Sequence, residues 1–304
     1  MKFTPTLLLV YNRPKTTKKL INALSHIKPR KIFVSSDGPK NNEDKILCDE
    51  VKDIISKINW KCIVKKKYNK KNLGCKESVS QALNWFFKIN KFGIILEDDC
   101  IPNKDFFNFS DIMLKKYYNN GKIGAITGNN FLKKKIKIKN KYFYSKYANC
   151  WGWATWRSRW KLYEKKISFW PKFKKTKKWE NFFASKEEKT YWEFIFDKAY
   201  KNQDDSWAYP WTLSLWKNDK LTVTPSKNLV KNIGKNSSRS LFNFLFKSYK
   251  AERLSLQNIK FYKEVKLNNE VEKVVFRNHF KKNILFLKKF VYLSSQLFNL
   301  GQNK

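Results

Sequence analysis

The amino-acid sequence predicts an α/β protein with a mostly parallel sheet flanked by helices. Three observations carry this expectation. In the first hundred residues, short apolar runs alternate with segments of about 10 to 15 residues whose apolar positions recur at three and four, the pattern of β-α-β units. The chain has 304 residues, 42% of them hydrophobic and 17% aromatic, enough for a sizeable core and too much for a disordered chain. No internal repeat and no Gly/Ser/Pro-rich linker interrupts it.

The elements follow in order. Thr6 to Tyr11, bounded by Pro5 and Pro14, reads as a buried strand. Thr16 to Ile27 places Leu20, Ala23, Leu24 and Ile27 at helical spacing. Lys31 to Ser35 is a second strand ending at the turn signal Asp37-Gly38-Pro39. Asp44 to Ile58 is helical, Lys61 to Lys65 a short strand, Glu77 to Ile89 an aromatic-rich helix and Phe92 to Leu96 a fourth strand. Ten of the twelve Trp then fall between Trp151 and Trp216. The Lys/Trp-rich stretch from Ser168 to Glu180 reads as an exposed excursion, and the chain from Ser240 onward as mainly helical and basic. One catalytic domain over residues 1–240 and a basic helical tail over 241–304 is the simplest division.

Lys+Arg number 65 against 25 Asp+Glu, a net charge of +40. That balance favours anionic partners. Only seven of the cations are Arg, however, and the abundance of Lys, Asn, Ile and Phe is the composition of an AT-rich genome. A nucleic-acid reader leans more on Arg, whose fork grips phosphate and guanine. Five scattered cysteines with no Cys-x-x-Cys pair form neither a disulfide framework nor a zinc site. The run from Leu7 to Tyr11 is too short for a signal-peptide core, and no stretch approaches the roughly 18 to 20 apolar residues of a membrane span. A cytoplasmic protein, soluble or peripheral on the inner membrane face, is expected.

The sharpest chemical feature is Ile94-Ile95-Leu96-Glu97-Asp98-Asp99, an apolar strand running into three acids. In an open parallel sheet, ligands bind beyond the carboxyl ends of the strands. Three adjacent carboxylates repel one another there unless a cation joins them, and oxygen ligands of this kind hold Mg²⁺ or Mn²⁺ together with substrate phosphates. Asp37 ends the second strand before Gly38, where it accepts hydrogen bonds from a base or ribose or makes a plain Asx-turn. Arg13 ends the first strand, where its fork reaches a diphosphate. Asn72 and Gly74 sit in a loop opening a helix, whose backbone N–H groups face phosphate or sugar. Neither G-x-G-x-x-G nor G-x-x-x-x-G-K-[ST] is present.

Together these segments resemble nucleotide-diphospho-sugar transferases of the GT-A type, in particular the family of Golgi N-acetylglucosaminyltransferase I and its small bacterial relatives. Tyr11-Asn12-Arg13 with Phe33 to Gly38 is similar to that family's donor site, and Glu97-Asp98-Asp99 to its Asp-x-Asp motif. Tyr144 to Trp156, Asp205 to Trp211 and Pro225 to Gly234 resemble its acceptor-side segments. The resemblance covers about residues 6 to 240. It implies a Rossmann-like GT-A fold, an inverting glycosyltransferase, a nucleotide-diphosphate sugar as donor (a UDP-sugar first) and Mn²⁺ or Mg²⁺ as cofactor. It implies that Asp99 holds the metal, that Glu97 and Asp98 contact the donor, that Asp37 contacts the base and that Arg13 contacts the diphosphate. An inverting transferase also needs a carboxylate to take the acceptor proton, and Asp204 and Asp205 are the two candidates. Ala208 stands where relatives often carry a second acid, so the choice between them stays open. Trp151, Trp153 and Trp207 are the aromatic residues expected nearest an acceptor, since indole planes stack on sugar rings.

The acceptor expected is a glycan or lipid-linked glycan of the cell envelope. Asn283 to Leu300 reads as an amphipathic helix flanked by Lys281, Lys282, Lys288 and Lys289, which could pack on the domain or meet an anionic membrane. A sugar nucleotidyltransferase is the near alternative; it would usually carry a Gly-rich loop after the first strand, which Asn12-Arg13-Pro14 is not. A basic nucleic-acid-binding protein without catalysis is the other, motivated by Lys133 to Lys141. The cations are spread along the chain, so nucleic acid is not the expected partner.

Overall fold

The computed structural model describes residues 4–132, 136, 138–234 and 250–281. Thr6–Val10 (β1) is buried along its whole length. Leu8 and Val10 enter one apolar core and Leu7 and Leu9 another, the alternation that a central parallel strand with helices on both faces requires. Pro14–Ile27 (α1) opens on a proline, which fits the first turn, and closes on Lys28 in the left-handed region. Lys31–Ser36 (β2) leads to Asn42–Ser56 (α2), capped by Asn41, whose side chain accepts the Asp44 N–H at 2.8 Å. Ile63–Tyr68 (β3), Cys75–Ile89 (α3) and Phe92–Glu97 (β4) complete the parallel half. The third strand lies later than its apolar residues suggested, because pairing with β2 from Lys31↔Ile63 to Ser36↔Tyr68 sets its ends.

The chain then adds Cys100–Pro102 (β5), Lys104–Lys116 (α4), Ile123–Thr127 (β6), Tyr142–Ser145 (β7) and Trp153–Trp156 (β8). Three single-turn helices, Arg157–Trp160 (α5), Trp170–Phe173 (α6) and Lys177–Glu180 (α7), precede Lys186–Tyr200 (α8) and Ala208–Lys217 (α9). Leu221–Pro225 (β9) and Val230–Asn232 (β10) follow. The eight-stranded sheet has the order β3-β2-β1-β4-β8-β6-β9-β7, and β5 with β10 forms a separate antiparallel ribbon. Strands β3, β2, β1 and β4 run parallel; β8 pairs antiparallel with both β4 and β6. The fold is α/β and Rossmann-like, as expected.

Two expectations change. The stretch from Ser168 to Glu180 is not an exposed excursion. Trp170 and Trp179 are fully buried in an aromatic core with Tyr191, Trp192, Phe196 and Trp216, and the lysines between them lie at its rim. Residues 250–268 are not helical. Their backbone groups bond the domain instead of each other: Glu252 N–H donates to the Asn228 carbonyl (2.6 Å), Leu254 N–H to Asp105 (2.9 Å) and Tyr262 N–H to the Tyr142 hydroxyl (3.1 Å). Asn269–Val275 (α10), continued by a π-helical turn over Phe276–Phe280, lays Val271, Val275, Phe276 and Phe280 into the same aromatic core. The expected helix Asn283 to Leu300 lies outside the described residues.

Candidate active site

From β1 the chain proceeds to β2 and β3 on one side, while β4 is added on the other. At this switch the loops leaving β1 and β4 diverge, and a crevice opens at the carboxyl ends of the strands. The cleft there has a volume of about 550 Å³, and Arg13, Asp37, Asn72, Gly74, Glu97, Asp98 and Asp99 all line it. Every residue expected to bind the donor or the metal is thus brought to one place.

The floor is the end of β4. Asp98 N–H bonds the Leu9 carbonyl at 3.1 Å and extends the β1 pairing, so the acids are carried on rigid sheet. Asp98 is 1% exposed and Asp99 8%. Arg13, just before α1, faces both: Nε donates to Asp98 Oδ2 at 3.1 Å, Nη2 to Asp98 Oδ1, and Nη1 to Asp99 Oδ2 at 2.9 Å. The ribbon of β5 and β10 fixes Asp99 from the other side. Asn232 Nδ2 donates to Asp99 Oδ1 at 3.3 Å, and Ile233 N–H to the Asp99 carbonyl at 2.9 Å.

Three acids against one guanidinium leave this floor electron-rich. Burial, reinforced by Asp99, pushes the Glu97 carboxyl up to about 8. Burial also pushes Asp98 up to about 7, with Arg13 opposing. Burial works against the charge of Arg13, but Asp98 and Asp99 outweigh it and hold the guanidinium firmly protonated. Oxygen donors of this kind suit a hard divalent cation. Among the described residues no group of three His, Cys, Asp or Glu side chains is arranged to hold a metal by itself. An ion held by these acids would need further oxygen ligands from a bound substrate.

The wall opposite is a loop knotted around Asp37. Asp37 Oδ1 accepts the N–H of Gly38 (2.9 Å) and of Leu73 (3.0 Å) and the Asn69 amide (3.3 Å); Oδ2 accepts the Asn72 amide (3.1 Å) and the Gly74 N–H (3.1 Å). The lone pairs expected to meet a base are thus used within the protein, and a base contact would exchange one of these donors. Asn72 likewise spends its amide on Asp37 and on the Gly38 carbonyl (2.9 Å). Two glycines permit the knot. A Cβ on Gly38 would lie 2.4 Å from the Lys71 backbone, and Gly74 holds φ +81° at the start of α3.

Asp205 stands behind this wall. Its carboxylate accepts the N–H of Cys75 (2.7 Å) and of Lys76 (3.1 Å), the first amides of α3, and lies against Gly74. Asp204 turns back onto its own loop, accepting the Ser206 N–H at 2.6 Å. Trp207 sends its indole N–H to Glu97 at 3.3 Å and stacks on Trp153 at 5.3 Å between centroids. Trp153 and Trp207 are 1% and 3% exposed, so both serve the core behind the floor rather than offering open faces to an acceptor. Trp151 is half-buried and packs edge-to-face on Phe131 and His279.

Sequence reasoning missed Asp44 and Lys40. Asp44 accepts the Tyr11 hydroxyl (2.5 Å) and the Asn12 amide (2.6 Å) and so shapes the loop leaving β1. Lys40 is a second cation on the cleft lining. The capping pair Asn41 and Asp44 was the one local signal; nothing linked it to residues some thirty positions earlier.

No known protein-family profile matches the chain, and no curated protein matches it. Among solved structures it is similar to HddC from Yersinia pseudotuberculosis complexed with GMP-PN (9% identity, 51% of this chain and 77% of that one, TM-score 0.33). It is also similar to 4-diphosphocytidyl-2C-methyl-D-erythritol synthase from Anaerococcus prevotii (12%, 64% and 83%, TM-score 0.33). A third is a CMP:2-keto-3-deoxy-manno-octonic acid synthetase complexed with CTP (10%, 74% and 89%, TM-score 0.37). Similarity this distant carries no argument about activity.

Proposed function

We propose that the chain is a metal-dependent, inverting glycosyltransferase of the GT-A type, using a nucleotide-diphosphate sugar and acting on a glycan or lipid-linked acceptor. The supporting observation is the convergence of Arg13 with Glu97, Asp98 and Asp99 in the cleft at the switch point. A guanidinium already poised over two carboxylates is the partner a diphosphate needs, since its fork matches phosphate oxygens. Asp99 would hold a divalent ion that also binds the diphosphate and offsets the charge of the leaving nucleotide. Glu97 and Asp98, both on the cleft lining, contact the donor nucleotide and sugar. Asp205 and Asp204 stay the two candidates for the base: Asp205, behind the cleft wall, is held by two backbone amides and Asp204 by the Ser206 N–H, so either must exchange a backbone donor to take the acceptor proton. The division assigns catalysis to residues 1–240, with 250–281 strapped across it.

A sugar nucleotidyltransferase shares this sheet and its acids. We favour the transferase because the loop after β1, Tyr11-Asn12-Arg13, contains no glycine and enters α1 directly at Pro14. Four of the six lysines in the run that motivated nucleic-acid binding, Lys133 to Lys141, lie outside the described residues. Membrane association remains a proposal for the tail; among the described residues no helix is long and apolar enough to cross a bilayer. The test is titration of UDP and other nucleoside diphosphates with and without Mn²⁺. Metal-enhanced binding is expected, and metal-independent binding or none would count against the reading.

A further inference from the structure

At the opposite end of the sheet from the cleft, a second cavity of about 630 Å³ opens at the amino ends of β1, β2 and β3. Its walls are the α1–β2 turn, the α2–β3 turn and one face of α4, where Lys104, Phe107, Asn108 and Asp111 follow at three- and four-residue spacing. Three kinds of group meet there. Lys28, Arg30, Lys61 and Lys104 bring exposed cations, and Lys28, Lys61 and Lys104 make no ion pair among the described residues. Phe107 adds a half-buried apolar ring, backed by Trp60, which is 9% exposed and gives its indole N–H to the Pro29 carbonyl at 3.0 Å. Asp111 is 8% exposed, and among the described residues its one hydrogen bond comes from the Thr4 hydroxyl.

A buried carboxylate with a single donor is costly unless further donors reach it. A simple anion would satisfy the lysines but face Asp111. A neutral sugar would satisfy Asp111 and Asn108 but leave the cations unused. A sugar carrying a phosphate does both: phosphate oxygens to the lysines, hydroxyls to Asp111 and Asn108, and an apolar ring face on Phe107. We propose that this cavity is a second ligand site, separate from the cleft, for a phosphorylated sugar. The ligand is either a free sugar phosphate or a phosphate-bearing unit of a glycan chain; the chemistry is the same. This inference does not rest on the proposed transferase activity.

Calorimetric titration of the full chain with glucose 6-phosphate, inorganic phosphate and glucose tests it. Glucose 6-phosphate should bind at one site, about tenfold or more tighter than phosphate, and glucose should show no binding. The double variant Lys61→Ala/Lys104→Ala, at exposed positions, should weaken glucose 6-phosphate by about tenfold or more. Asp111→Asn and, separately, Asn108→Ala should narrow its advantage over phosphate. Arg13→Ala, in the cleft, should leave its affinity unchanged. A phosphodiester-linked oligosaccharide that binds tighter than the monosaccharide identifies a chain as the ligand; a weaker one identifies the free sugar phosphate, and either supports the site. The proposal is overturned if glucose 6-phosphate does not bind, if it binds no better than phosphate, if the lysine variant binds normally, or if Arg13→Ala abolishes binding.

Discussion

Arg13 is the residue on which the cleft's electrostatics turn. It neutralises part of a floor that holds three acids, so its loss acts on both binding and folding. Arg13→Ala should lower nucleoside-diphosphate affinity by about tenfold to a hundredfold, since each charge-assisted contact is worth roughly 1.5 to 3 kcal/mol. It should also cost about 1 to 3 kcal/mol of stability, less than a fully buried pair because the Arg13 side chain is 34% exposed. Arg13→Lys should recover much of the stability but little of the affinity, because an ammonium cannot grip two oxygens in a plane. Calorimetric binding and chemical denaturation of the three proteins separate these effects. Asp37 acts differently. Its oxygens gather donors from Gly38, Asn69, Asn72, Leu73 and Gly74, so Asp37→Ala strands several of them at once. A loss of about 2 to 4 kcal/mol is expected in urea unfolding, with faster hydrogen exchange at Leu73 and Gly74. Arg13, Asp37 and the three acids were legible in the sequence because each lies within three residues of the end of an apolar run, which placed them at strand ends. The partners of Asp205 were not. Its amide donors lie about 130 positions earlier, at the start of α3, and no periodicity reports such a contact.

At the scale of elements, the parallel half was legible and the aromatic half was not. Strands β1, β2 and β4 are buried apolar runs with helical patterns between them, which is a strong signal. The single-turn helices α6 and α7 are too short to show a period, so the burial of Trp170 and Trp179 could not be read from their lysine-rich surroundings. Strap helix α10 carries a titratable contact of its own. Glu272 is buried, accepts the Lys146 N–H at 3.0 Å, and stands near the buried pair of Lys146 with Glu188 (2.7 Å) and near Ser145. Burial pushes its carboxyl up to about 7, with Lys146 opposing. The folded state therefore holds a proton that the unfolded chain releases near its ordinary value of 4.5. Stability should fall as pH rises from about 4.5 to about 7 and level off above, by at most about 3 kcal/mol. Glu272→Gln should flatten that part of the profile and raise the melting temperature at pH 8, as a thermal scan across pH would show. A profile unchanged by the substitution would mean that Glu272 is ionised in the fold.

At the scale of the whole molecule, the net charge of +40 surrounds a cleft whose floor is acidic. A positive exterior raises the local concentration of anionic nucleotides, and Lys65, Lys66 and Lys67 on the outer strand β3 also discourage edge-to-edge pairing. Nucleotide association should accordingly slow with added salt, since the screening length falls to about 8 Å at physiological ionic strength. The fold class was readable because doubly covered strands leave continuous apolar runs; the donor and acceptor were not, because sugar selection rests on loops whose paths the sequence does not state. The central claim is that the acids closing β4 make this cleft a nucleotide-sugar transfer site. Its most direct test is release of nucleoside diphosphate from a panel of nucleotide sugars, by the wild-type chain and by Asp99→Asn, with and without Mn²⁺. The account predicts metal-dependent release from one donor class, reduced about a hundredfold or more in Asp99→Asn. Release that is indifferent to metal and to Asp99, or pyrophosphate formed only from a nucleoside triphosphate and a sugar 1-phosphate, would contradict it.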